Sequence, residues 1–155
     1  MKTASLLYLA CATALPLAAA AAGNPFEAFH GKVKAGMYEY RTEMDMGAIP
    51  GMPPGMGKQT HTFQHCVTPE DIRKGEMNRN DRTPKDCEVK DFRMSGNTAS
   101  YRMVCTGQHP MTADNRITFN STGYDMDMTM DITEGGRPMH MKQHMQARYL
   151  GACSK

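Results

Sequence analysis

Apolar and polar residues alternate one for one through most of this chain. Tyr124, Met126, Met128, Met130 and Ile132 fall on one side, and Asp125, Asp127, Thr129 and Asp131 on the other. Tyr38, Tyr40, Met44 and Met46 alternate with Glu39, Arg41, Glu43 and Asp45. Met139, Met141, Met145, Ala147 and Tyr149 alternate with His140, Lys142, His144, Gln146 and Arg148. A period of two is the mark of a strand with one buried face. The pattern predicts strands over about residues 36–46, 58–67, 88–94, 98–105, 111–120, 124–133 and 139–150. The stretch from Gly47 to Gly57 holds Pro50, Pro53 and Pro54 among four glycines, so it reads as a long hairpin loop.

Two short pieces break the rhythm. A helical turn is expected at residues 25–29. A short helix is expected near residues 69–74: Thr68 can cap it, Pro69 suits its first position, Glu70 and Asp71 favour the positive end of its dipole, and Gly75 ends it. Gly96-Asn97 is a two-residue hairpin turn that sets Phe92, Met94, Ala99, Tyr101, Met103 and Cys105 on a common face. Seven consecutive strands, each apolar on one side, imply an all-β fold. An antiparallel meander has to curl into a barrel or a sandwich to bury that side. With 16 methionines and no tryptophan, flexible thioethers fill much of the core.

The first residues have a different character. Lys2 precedes an apolar stretch from Ala4 to Leu17 and an alanine run to Ala22, the pattern of a secretory leader cut after Ala22. The stretch is too short and too alanine-rich for a membrane anchor. Residues 23–155 then form one β-rich domain in the periplasm. With Lys2 gone, 17 basic residues stand against 16 acidic ones. No basic run or aromatic interleaving points to nucleic acid, and no later segment is apolar enough to span a membrane.

Four cysteines remain after the leader: Cys66, Cys87, Cys105 and Cys153. An even number in an exported chain reads as two disulfides, and no C-x-x-C pair suggests a metal. Cys87 and Cys105 flank one hairpin at the same end, although its register leaves Cys87 one residue short of facing Cys105. Three further alternating strands carry Cys153 to the opposite end. The expected bridges are therefore Cys87–Cys105 and Cys66–Cys153.

Candidate chemistry is sparse. His61 and His65, and likewise His140 and His144, are four apart. On a strand that is about 13 Å, too far for one ion, so they read as surface histidines. Asp125, Asp127 and Asp131 form the charged side of one strand. Neither a Ser/His/Asp signature, nor H-E-x-x-H, nor a phosphate-binding glycine loop is present, so no enzyme is expected. The M-x-M pairs bear thioethers, soft ligands that select Cu(I). Met52 and Met56 lie on the loop, where nothing demands apolar residues; with Met44 and Met46 they form a candidate copper set. Met126, Met128, Met130, Met139 and Met141 are candidates for lining a small apolar ligand.

Lys34-Ala35-Gly36-Met37-Tyr38-Glu39, the Met/Pro/Gly loop at 44–56, Cys66-Val67-Thr68-Pro69-Glu70-Asp71, Ser95-Gly96-Asn97-Thr98 and Arg148-Tyr149-Leu150-Gly151-Ala152-Cys153 span nearly the whole chain after the leader. Together they resemble a family of small exported bacterial proteins known as domain of unknown function 3617. Tyr38 stands where the family more often has tryptophan. The resemblance implies a periplasmic, single-domain β protein and brings no activity with it. The expected function is a non-enzymatic binding or interaction protein, whose partner is another protein or a small apolar ligand, or whose ligand is Cu(I).

Overall fold

The computed structural model describes residues 24–47, 57–77, 85–107, 110–134 and 136–154. A 3-10 turn (Pro25–Phe29) leads into β1 (Gly36–Asp45) and β2 (Lys58–Val67). Then come α1 (Pro69–Lys74), β3 (Cys87–Ser95), β4 (Thr98–Cys105), β5 (Met111–Asn120), β6 (Gly123–Glu134) and β7 (Arg137–Gly151). Residues 1–23, 48–56, 78–84, 108–109, 135 and 155 lie outside the described residues, and with them the expected leader and most of the expected hairpin loop.

All seven strands join one antiparallel sheet in the order β2-β1-β7-β6-β5-β4-β3. Strands β3 to β7 form the expected meander. The β1–β2 hairpin docks on its far side, with Tyr38 opposite Tyr149 and Thr42 opposite Met145. The sheet is not closed by hydrogen bonds, so β2 and β3 are its two edges.

Opposite residues in an antiparallel pair share a face, so the register sorts every side chain. The inner face can be followed as rows across the strands. One row runs Ala99, Ile117, Met126, Met145, Thr42, and the next runs Phe119, Tyr124, Ala147, Tyr40, Phe63. All but Phe63 are buried. Ring contacts continue the second row from the 3-10 turn to the β2 edge. Phe29 meets Phe119 at 5.1 Å, Phe119 meets Tyr124 at 6.1 Å, Tyr124 meets Tyr40 at 6.4 Å, and Tyr40 stacks on Phe63 at 5.0 Å. Such pairs add about 0.5–1.5 kcal/mol each beyond the area they bury.

The 3-10 turn and α1 cover this end of the inner face. Asn24 joins them: its Oδ1 accepts from the Phe26 N–H, and its amide donates to the Arg73 carbonyl. Phe26 and Phe29 reach Phe92, Tyr101 and Phe119 on β3 to β5. The expected capping of α1 is present, with Thr68 Oγ1 accepting from the Asp71 N–H at 3.2 Å and Asp71 Oδ2 accepting from the Thr68 N–H at 2.8 Å. Gly75 ends the helix at φ 74°, and a Cβ there would lie 2.5 Å from the Phe26 ring. Glycine thus meets a backbone demand and a packing demand at once. Beyond it the Met77 carbonyl accepts from the buried Tyr40 hydroxyl, which pins the chain over β1.

The cysteines pair as Cys66–Cys153 and Cys87–Cys105. The one-residue offset at the second bridge is absorbed by a bulge. The register shifts between Lys90 and Arg93, and Asp91 sits at φ 53°. One extra residue on β3 brings Cys87 level with Cys105.

Candidate functional site

The capped aromatic core occupies only one end of the inner face. Towards the other end three more rows follow, and they are dominated by methionine. The first is Tyr101, Asn115, Met128, Gln143, Met44, Gln59. The second is Val89, Met103, Ala113, Met130, Met141. The third is Cys87, Cys105, Met111, Ile132, Met139. No Asp, Glu, Lys or Arg stands in these rows.

Exposure separates two kinds of methionine. Met77, Met126 and Met145 are at most 5% exposed and belong to the packed core. Met44, Met46, Met103, Met111, Met128, Met130, Met139 and Met141 are only partly buried. Of the five residues expected to line a ligand, Met128, Met130, Met139 and Met141 therefore share the half-buried area, while Met126 is buried in the core, opposite Met145. Met103 and Met111 belong with them. Their alternation already put Met103 on the apolar face, but nothing local singled either residue out.

The expected copper set divides. Met52 and Met56 lie outside the described residues. Met44 and Met46 are described, and both stand at the methionine end. The Met46 N–H donates to the Gly57 carbonyl at 2.9 Å, which extends the β1–β2 ladder by one step. The β1–β7 register ends at Asp45 opposite Lys142, and a Cβ on Gly47 would lie 3.6 Å from the His140 carbonyl. Continued one step, that register sets Met46 level with Met141.

The outer face carries the charges. His144 Nδ1 lies 2.7 Å from Asp127 Oδ1, and His140 Nδ1 lies 2.7 Å from Asp131 Oδ1, each pair straight across β6 and β7. Asp125 accepts from the Asn120 amide, so each member of the aspartate stripe has a partner. Arg102 grips Asp114 with two hydrogen bonds and holds its carboxyl below the usual range. An open depression of about 340 Å³ crosses β2, β1, β7 and β6. On each strand its lining is three consecutive residues, two outward with one inward between them, as in Glu43-Met44-Asp45 and Lys142-Gln143-His144. It therefore belongs to the outer face and holds mainly solvated, mutually paired charges, including Lys58 with Asp45.

The histidines do not converge. His61 and His65 take inward positions on β2, and His140 and His144 point outward on β7. Among the described residues no group of three or more His, Cys, Asp or Glu is placed to hold a metal. No described helix is long and apolar enough to cross a membrane. Burial pushes the Tyr38 phenol above its ordinary pKa, partly offset by the bond from the Lys34 N–H; its hydroxyl in turn donates to the Lys34 carbonyl.

Residues 33–153, which hold the seven strands, α1 and both bridges, match the family described as protein of unknown function (DUF3617), and the chain belongs to it. No curated protein and no solved structure gives a significant match.

Proposed function

We propose that the protein is an exported, non-enzymatic binding protein that holds a small ligand on the methionine rows of its inner face. The observation that carries this reading is the contrast along one face of one sheet. At the capped end Phe29, Tyr40, Phe119, Tyr124, Met126 and Met145 are buried. At the other end a charge-free methionine surface stays partly open. Thioether side chains are flexible and polarisable and adapt to a guest. A ligand that prefers such a surface to water is apolar or soft. Export is supported by the leader pattern of residues 1–22 and by two disulfides, which persist in oxidising compartments.

The neutral dye N-phenyl-1-naphthylamine tests the binding surface. Saturable fluorescence is expected with the native protein, weakened at least tenfold in the double variant Met128→Gln/Met139→Gln. Met37→Gln, on the opposite face, serves as the control. Equal responses from all three proteins would dismiss the surface. Export is tested by fractionation and N-terminal sequencing, which should find the mature protein in the periplasm beginning at or near Gly23.

A further inference from the structure

We infer that Met46, Met130 and Met141 form a thioether site for a soft monovalent cation of the copper(I) or silver(I) kind. This rests on the reading of the methionine rows as a binding surface and names the ligand.

Met130 and Met141 are directly opposite across β6 and β7. Such pairs hold their Cβ atoms about 4.5–5.5 Å apart, close enough for two long side chains to meet at one point. The β1–β7 register ends at Asp45 opposite Lys142, and one further step, in keeping with the approach of Gly47 to the His140 carbonyl, sets Met46 on the other side of Met141. Strands lie about 4.8 Å apart, so the three residues span about 10 Å with Met141 in the middle. Met46 and Met130 can lean inward over it, giving three sulfur ligands from three adjacent strands. Ala113, opposite Met130, is fully buried and takes up little room beside it.

The surroundings decide which ion suits. Thioethers are neutral, soft donors, and no carboxylate stands in these rows to attract a hard divalent cation. His140 and His144 pair with aspartates on the outer face, His61 and His65 stand on β2 level with Thr42 and Tyr38, and His30 follows the 3-10 turn at the capped end. Both disulfides are closed, so no cysteine of the sheet offers a thiolate. Methionine is the soft sulfur left, and it binds without releasing a proton, so affinity should vary little with pH. The three residues are partly buried, unlike Met126 and Met145, so an ion can reach them.

The experiment uses the mature protein with its disulfides intact, labelled with carbon-13 at the methionine methyl groups. Silver(I) is the first probe, because it needs no reductant; copper(I) competition against a chelator follows. Silver(I) is expected to shift the methyl signals of Met46, Met130 and Met141 and to leave those of Met126 and Met145 in place. Met130→Leu and Met141→Leu keep the bulk and remove the sulfur. Each should weaken binding at least tenfold with an unchanged fold, whereas Met37→Leu should not. If the affinity follows Met52 and Met56 instead, the ion sits on the loop and the assignment fails. If neither ion binds but the neutral dye still does, the cation is overturned and the binding surface stands. If none of the probes binds, both readings fall.

Discussion

Cys87 faces Cys105 with Cα atoms 4.0 Å apart, although the hairpin turn that joins their strands sets them one residue out of step. The turn pairs Ser95 with Thr98, and that register carried straight on would put Glu88 opposite Cys105. Asp91, at φ 53°, is the extra residue that corrects it. The left-handed region is tolerable for aspartate and costly for branched side chains.

Asp91→Gly should therefore stabilise the protein by roughly 0.5–1 kcal/mol, and Asp91→Val should destabilise it by about 1–2 kcal/mol. Deleting Asp91 should be tolerated, because a regular ladder without the extra residue still sets Cys87 opposite Cys105. Urea unfolding and disulfide mapping check all three. Loss of the Cys87–Cys105 bridge on deletion would show that the bulge has another role.

The two bridges should differ in weight. Cys66–Cys153 closes a separation of 87 residues and Cys87–Cys105 one of 18. Loop-closure entropy assigns about 4–5 kcal/mol to the first and about 3 kcal/mol to the second. The paired variant Cys66→Ala/Cys153→Ala should melt lower than Cys87→Ala/Cys105→Ala by calorimetry. The first bridge also fastens the end of β7 to the edge strand β2, so its removal should raise amide exchange in β2 before β4.

The α1 cap should fail in acid. Burial raises the Asp71 pKa, but the bonds from the Thr68 N–H and hydroxyl outweigh it, so the folded carboxyl lies below its ordinary 3.8. A lowered folded pKa contributes stability above the unfolded value, and that contribution is lost as pH falls through the folded one. Asp71→Asn should flatten stability against pH below about pH 4, with little change in slope above pH 5. Thr68→Ala should cost about 1 kcal/mol near neutrality. Denaturant titrations from pH 2 to 7 check both.

Oxidation should divide the methionines as exposure does. Dilute peroxide converts accessible thioethers to sulfoxides. Met46, Met128, Met130, Met139 and Met141 should react before Met77, Met126 and Met145, which are at most 5% exposed. Peptide mapping over time gives the order. Early loss of Met145 would show that the capped end opens.

The strands and the helix were legible because their signals are local. Period-two alternation and turn residues placed β2, β4 and β5 to the residue, and the Thr68 cap with Gly75 bounded Pro69–Lys74. The cysteine pairing followed from strand direction, which alternates along a meander. Asp91 escaped because no glycine marks the bulge, and aspartate on a polar strand face looks ordinary. The choice of β7 as the neighbour of β1 escaped as well, since it depends on contacts more than a hundred residues apart, such as Glu39 with Arg148. The methionines make the same division plain. Their alternation determined which face they occupy. It could not tell Met126 and Met145 from Met130 and Met141, because all four repeat with the same period on neighbouring strands. That distinction was decided by where Phe26, Phe29 and α1 come to rest on the sheet, and the level of Met46 with Met141 by the docking of β1 on β7. Both are tertiary events that a two-residue period does not encode.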